Sequence, residues 1–442
     1  MTANTTLVQR LGNGLLRQFQ GREIWALTDQ AVVSATNFLT SVILARFMGL
    51  REFGVFALAW MSVLFVNSLQ NALIVAPMMG IAPKQEEKDR PCYFGAVVFQ
   101  ELILVAFCFV LVYGVLKVSG NFARFSEVKH LALPLAVSAF AYQMQDFLRR
   151  YLFATSQSPR ALLDDTLSYL PQLPILLFLH RSGNLNSATA LWAMAGTSIL
   201  GLLPGLIWFE RLDFNRKWIE AIALRHWKIS RWLTASSLMQ WTSSNLFLIA
   251  APFYYGAAAA GVLKASQNLM GVTHVWFQGL DNVVPAETAR RLGEGGPHRM
   301  LDYTRSILVK WGGLTVLFAI TMAVAPGFWL RLMYGPGMVQ YGYILQLYAL
   351  LYVIIFLGGP IRAGLQALEF TVPVFWSYLA MTAFAISFAV PMAKWLGLSG
   401  SLFGLIGSQI LFQAIVGAAL LVQSGRVAKQ AVLSQGPPAI AE

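Results

Sequence analysis

Charge is what this sequence has least of. Asp, Glu, Lys and Arg make up 12% of its 442 residues, where soluble domains carry about 25%. So few ionised groups cannot cover a water-exposed surface, which excludes a chain of soluble domains. Cysteine is nearly missing too: Cys92 lies beside a charged loop and Cys108 in an apolar run, giving neither a disulfide framework nor a metal site. No nucleophile–base grouping and no long polar loop is present, so no residue is nominated as catalytic, and the chain does not read as an enzyme. The opening MTANTTLVQRLGNGLLRQFQGREIW lacks a compact apolar core and a cleavage site, so it reads as a cytoplasmic lead-in rather than a signal peptide.

What is present is apolar: 57% of residues, with a mean hydropathy of +0.59. A helix crossing a bilayer needs about 20 such residues in a row. Cutting at charge clusters and Gly/Pro turns gives about twelve spans, near 24–47, 53–80, 94–117, 130–153, 160–180, 187–209, 231–254, 257–286, 304–326, 340–367, 372–393 and 398–423. With the N-terminus in the cytoplasm, 23 of the 32 Lys and Arg are assigned to the cytoplasmic side and eight to the other, and Lys264, well inside a span, is the one left to neither. That bias sets the orientation. It also accounts for the net charge of +12 without any nucleic-acid partner.

A repeat runs through the chain. Gly49 and Gly54 bracket the turn between the first two spans, and Gly256 and Gly261 do the same 207 residues later. "IVAP" ends span 2 and "NVVP" ends span 8. An even number of spans per copy makes the repeat parallel, about an axis along the membrane normal. The expected organisation is an all-α polytopic membrane protein: a cytoplasmic segment 1–23, a six-span lobe 24–209, a cytoplasmic linker 210–230 with the composition of an interfacial helix, a second six-span lobe 231–423, and a cytoplasmic tail 424–442.

Polar residues inside spans normally face a bundle interior or a watery cavity. Here they form stripes. Gln30, Ser34, Asn37 and Ser41 share one face of span 1, and Asn67, Ser68, Gln70 and Asn71 cluster on span 2. Ser236, Gln240, Ser243 and Ser244 follow on span 7, and Lys264, Gln267, Asn268, His274, Gln278 and Asp281 run down span 8. One reading is interhelical hydrogen bonding; the other is a shared hydrated cavity. The cavity reading nominates Lys264, Gln267, Asn268, His274, Gln30, Asn37, Asn67, Asn71, Gln240 and Arg362 as substrate-binding, with Lys264 as the cation for a phosphate. Asp29, beside the span 1 stripe, is the candidate for H+ or Na+ coupling; no other cofactor and no metal site is expected. Glu101, Asp146, Asp164 and Asp165 are placed near cytoplasmic ends, where they snorkel or pair with Arg149, Arg150 and Arg160.

The stretches "TNFLTSVILARFMGLREFGVFALAW", "NVVPAETARRLGEGG" and "MYGPGMVQYGYILQLYALLYVIIFLGGPIRAGLQALE" resemble the multidrug/oligosaccharidyl-lipid/polysaccharide (MOP) transporter superfamily, and within it the polysaccharide and O-antigen flippases. The resemblance implies a V-shaped transporter of two six-helix lobes in the bacterial cytoplasmic membrane, both termini cytoplasmic, with spans 1, 2, 7 and 8 lining the cavity. It implies an undecaprenyl-pyrophosphate-linked oligosaccharide as cargo for exopolysaccharide or O-antigen synthesis. Membrane lipids and the polysaccharide polymerase and export proteins are the implied partners. A cation-coupled multidrug exporter of the same fold is the alternative. Lipid II flippases of this superfamily carry arginines within the first two spans; this chain has Gln, Ser and Asn there, which favours a sugar repeat unit over a peptidoglycan precursor.

Overall fold

A computed structural model describes residues 21–119, 129–209 and 211–434. Most of the expected N-terminal segment and the end of the tail lie outside them. Among the described residues every regular element is helical: α1 Gly21–Met48, α2 Leu50–Gln70, α3 Ala76–Ile81, α4 Arg90–Ser119, α5 Ala132–Ala154, α6 Ser158–Tyr169, α7 Gln172–Arg181, α8 Ser187–Trp208, α9 Arg216–Tyr255, α10 Ala257–Met270, α11 His274–Val324, α12 Pro326–Tyr334, α13 Gly342–Ala367 and α14 Val372–Ser434. A π-helical stretch, Asn71–Val75, joins α2 to α3. Helices satisfy all their own backbone groups, which is why a chain in hydrocarbon takes this form.

Among the described residues six helical segments are long and apolar enough to cross a membrane. Two are far too long for one crossing. Ala257–Val324 has 68 residues and Val372–Lys429 has 58, against about 20 for a bilayer. Each is two spans joined over glycine: the backbone leaves helical geometry at Gly295 and Gly296 (φ 68°) in α11, and at Gly397 (φ 65°) in α14. These breaks fall between the expected spans 8 and 9, and 11 and 12. The surface is apolar in the manner of a lipid-solvated protein: Ile207 is 84% exposed, Val324 78% and Trp395 77%.

The structure corrects the segmentation in two places. Span 5 is broken at Leu170 and Pro171, leaving the short helices α6 and α7, because proline withdraws a backbone donor. The linker 210–230 is not a separate interfacial helix: from Arg216 it runs unbroken into span 7 as the 40-residue α9. Nothing between Arg216 and Pro252 interrupts the helical ladder.

The chain divides into two compact units, the first holding residues up to Met48 and Ala59–Ser237, the second Gly49–Leu58 and everything from Leu238 on. In the first unit α5 packs against α4, α6 and α8, and α1 packs against α6 and α7. Met78, Tyr93, Phe94, Phe147, Tyr151 and Leu152 fill its core. In the second, α13 lies between α10, α11 and α14, around Met300, Leu365, Met381, Phe412 and Val416.

The repeat shows itself in atomic detail within the second unit. Gly49 (φ 80°) and Gly256 (φ 77°) are left-handed residues that let one helix end and the next begin with no loop between. A Cβ on Gly54 would sit 1.8 Å from the Ala257 carbonyl oxygen, and a Cβ on Gly261 would sit 2.3 Å from that of Leu50. The two contacts are mirror statements of each other, since Gly54 and Gly261, and Leu50 and Ala257, are each 207 apart. The starts of α2 and α10 therefore touch backbone to backbone, as small residues in membrane helices allow.

Candidate functional site

In the first unit, α1 turns Asp29, Val33, Thr36, Thr40 and Leu44 into the protein. The stripe nominated from sequence is the adjacent, less buried face: Gln30 and Ser34 are half-buried and hydrogen-bonded to each other at 3.1 Å, and Asn37 is exposed.

Asp29 is fully buried. Its Oδ2 accepts from Arg149 Nη2 at 2.6 Å, and Arg149 Nε reaches Asp165 Oδ2 at 2.6 Å. Gln145 donates to Asp164 Oδ2 (2.9 Å) and Asp165 Oδ1 (2.7 Å). One arginine and one amide thus hold three carboxylates from α1 and α6. Buried charges survive only when paired and hydrogen-bonded, and α5 supplies both partners from one face, Gln145 and Arg149 being four residues apart.

Beside this lies a second network. Gln70 donates to Glu101 Oε1 and to the Gln143 carbonyl, each at 2.8 Å. Asn67 donates to Gln143 Oε1 and Asp146 Oδ2, each at 3.2 Å, and Asn71 donates to Asn67. The Arg150 guanidinium stands 3.6 Å from Asp146 Oδ1. Asn67 and Asn71 are therefore engaged in bonding within their own unit. Of the carboxylates expected at helix ends, Asp146 and Asp165 pair with arginine as one reading had it. Glu101 instead sits three turns inside α4, fully buried.

The second unit is organised differently. Lys264 is half-buried on α10 and donates to Gln267 Oε1 at 3.1 Å; among the described residues no carboxylate pairs with it. Asn268 donates to Tyr334 Oη at 3.4 Å, and Tyr334 in turn donates to the Ala265 carbonyl at 2.9 Å. His274 is exposed, its Nε2 3.4 Å from Tyr352 Oη. Gln240 and Arg362, nominated separately, meet at one residue: both donate to Tyr378 Oη, at 3.3 and 3.2 Å. Sequence reasoning missed the tyrosines. Its signal was the aromatic run 334–352, with Tyr334 and Tyr352 spaced to reach α10 and α11. These are amides, phenols, one lysine and one arginine, able to hydrogen-bond hydroxyls and to offer two positive charges, at Lys264 and at Arg362.

No family model matches the sequence, and no curated protein matches it. Solved structures do. An inward-facing multidrug resistance MATE family transporter of the MOP superfamily superposes with a TM-score of 0.69 over 90% of this chain and 95% of its own, at 13% identity. The lipid II flippase MurJ, in an inward closed conformation, gives 0.70 over 93% and 91%, at 11% identity. The fold is that of the MOP transporters. A eukaryotic MATE transporter agrees, with a TM-score of 0.60 over 92% of this chain and 98% of its own at 16% identity. The shared fold spans nearly the whole chain and is all-α and polytopic, in keeping with the six described segments long and apolar enough to cross a membrane. The first of these is named a multidrug resistance transporter and the second a lipid II flippase.

Proposed function

We propose that this chain is a flippase carrying undecaprenyl-pyrophosphate-linked oligosaccharide repeat units across the bacterial cytoplasmic membrane, by alternating access, for exopolysaccharide or O-antigen synthesis. The observation that carries the reading is Lys264: a half-buried ammonium whose side-chain partner is an amide, Gln267, at 3.1 Å. A lysine left without a carboxylate at membrane depth is costly unless it meets water or an anion. A pyrophosphate fits that need as a point-charge contact. Asn268, Gln240, Arg362 and their tyrosines supply donors and acceptors for sugar hydroxyls, and Gln30 and Asn37 on α1 are of the same chemistry. The N- and C-termini would then be cytoplasmic, and polysaccharide polymerase and export proteins the downstream partners.

The alternative, a cation-coupled multidrug exporter, is supported by the carboxylates of the first unit. In either case coupling to H+ or Na+ falls to the cluster of Asp29, Asp164 and Asp165. Because Arg149 already compensates Asp29, Asp164, which takes its hydrogen bond from an amide, is the member left for an added cation.

Deleting the gene should make lipid-linked repeat units accumulate on the cytoplasmic leaflet, and the wild-type gene should clear them. Lys264→Gln, which keeps length and polarity but removes charge, should not. Normal surface polysaccharide in a deletion strain without a paralogue would end the flippase reading; clearance by Lys264→Gln at native expression would end the phosphate role.

A further inference from the structure

Two turns of the chain are built alike, one in each unit. Among the described residues, Ser156 (φ 62°) and Glu369 (φ 54°) are the two non-glycine residues in left-handed backbone. One follows α5 and the other α13, and the same long bond closes each turn: Gln157 N donates to the Leu152 carbonyl at 2.7 Å, and Phe370 N to the Leu365 carbonyl at 2.9 Å. The two turns are 213 residues apart. On that register Arg149 corresponds to Arg362 and Asp165 to Tyr378, each pair again 213 apart.

The side chains follow the correspondence. Arg149 on α5 is held by Asp165 on α6 and Asp29 on α1. Arg362 on α13 meets Tyr378 on α14, which Gln240 on α9 also reaches. Carboxylates hold the first arginine; in the second unit a phenol and an amide take their place. Tyr378 Oη accepts from Arg362 Nη1 at 3.2 Å and from Gln240 Nε2 at 3.3 Å, which uses both its lone pairs and leaves its hydrogen to donate outward. Among the described residues nothing pairs with Nε or Nη2 of Arg362, and neither atom is sealed from the surface. Asp281 Oδ1 lies beside Gly359, a turn earlier on α13, and makes no ion pair with Arg362. The cluster is therefore a set of donors around an uncompensated guanidinium, short of the anion its counterpart has. Such a charge at membrane depth is costly until an anion or water meets it, and a planar guanidinium binds a carboxylate through two parallel hydrogen bonds.

A phosphate on Lys264 does not meet this need. Tyr352 on α13 lies 3.4 Å from His274 on α11, and Phe356 packs on Phe277 about a turn further along, so the two helices advance in the same direction. Lys264 is ten residues before His274 and Arg362 ten after Tyr352, about 30 Å apart at roughly 1.5 Å per residue. One phosphate group cannot touch both.

We propose that Arg362, Tyr378 and Gln240 bind a carboxylate on the sugar part of the cargo, so that the repeat unit is an acidic oligosaccharide. The identity of the cargo rests on the flippase reading; the anion site itself does not.

The test is equilibrium binding to the detergent-purified full-length protein with three probes: a tetrasaccharide containing uronic acid, the same tetrasaccharide with its carboxyl groups reduced to alcohols, and inorganic pyrophosphate. The wild type should bind the acidic sugar about tenfold to a hundredfold more tightly than the reduced one, the effect of a hydrogen-bonded charge pair. Arg362→Gln should erase the preference. Tyr378→Asp puts a carboxylate where the first unit has one, so it should satisfy Arg362 from within: the variant should melt no lower than the wild type and should lose the preference too. Equal binding of the acidic and reduced sugars, no binding of either, tighter binding of pyrophosphate than of the acidic sugar, or a preference kept by either variant would each overturn the proposal. Lipid-linked repeat units accumulating in the deletion strain, with no carboxylate preference in the purified protein, would leave the flippase reading standing and remove the acidic cargo alone.

Discussion

The two units spend their polar residues in opposite ways. In the first, Asp29, Asp165 and Arg149 are closed off from solvent and bound to one another at 2.6 Å. In the second, Lys264 and His274 are half-buried or exposed and bond only to amide or phenol groups. Burial without a partner is too costly to persist, so the first unit's charges are mutually committed and give up the freedom to bind anything else. The second unit's groups stay partly accessible and have weak, neutral partners that a ligand can displace. Polar side chains in a membrane protein thus divide into those that hold helices together and those left open for binding, and the partner chemistry tells them apart.

The sharpest way to break that contrast is Arg149→Leu. It leaves Asp29 and Asp165 buried without a cation, which typically costs about 3–5 kcal/mol. The purified variant should melt far below the wild type or fail to accumulate. Arg149→Leu with Asp29→Asn should recover much of the loss, since fewer carboxylates then lack a cation. A single mutant as stable as wild type would show that the network is not structural.

Acid should also act on the first unit. His226 lies in the linker ahead of span 7, and its pKa is lowered to about 4 by burial and by Arg225, from an ordinary 6.5. The unfolded chain therefore binds a proton in the window between those values while the folded one does not. Stability is fully present above about pH 6.5 and is lost as pH falls toward 4, by roughly 3 kcal/mol in total. His226→Gln should flatten the melting-temperature profile across that window. An unchanged slope would mean other groups carry it.

The reciprocal glycines of the second unit come next. Gly54→Ala must push α2 away from the Ala257 carbonyl, and Gly261→Ala must push α10 away from that of Leu50; overpacking of this kind costs about 1–3 kcal/mol. The two variants should lower the melting temperature by similar amounts, because the contacts are related by the repeat. Cysteines at Leu50 and Ala258, beside this contact, should form a disulfide readily, and their cross-link should stop transport. No cross-link under oxidising conditions would contradict the packing.

Much of this was legible in the sequence, for identifiable reasons. Apolar length marked the spans, and glycine marked the breaks, because Gly49, Gly256, Gly296 and Gly397 occupy left-handed backbone that other residues avoid. The join of the linker to span 7 was readable in principle, as no helix breaker stands between Arg216 and Pro252, but its mixed composition suggested a boundary. What stayed hidden was pairing at long range. Arg149 and Asp29 are 120 residues apart, and nothing local distinguishes a buried ion pair from two residues at helix ends. The same holds for Tyr378, which joins Gln240 to Arg362: a tyrosine among many aromatics carries no mark of which hydroxyl will be shared.

The smallest expected effect on stability is at Lys264, and it sharpens the comparison most. Its side-chain hydrogen bond is to Gln267, and the group is half-buried, so Lys264→Gln exchanges one amide-bonded polar group for another. The loss of a single neutral-acceptor hydrogen bond is worth about 0.5–1.5 kcal/mol, and removal of an uncompensated ammonium from membrane depth works in the opposite direction. The two nearly cancel, and the melting temperature should stay close to that of the wild type. Arg149 and Lys264 are both intramembrane cations, yet replacing one should cost the fold and replacing the other should cost only transport. A Lys264→Gln protein that melts as early as Arg149→Leu would place Lys264 among the groups that hold helices together, and the distinction between the units would fall with it.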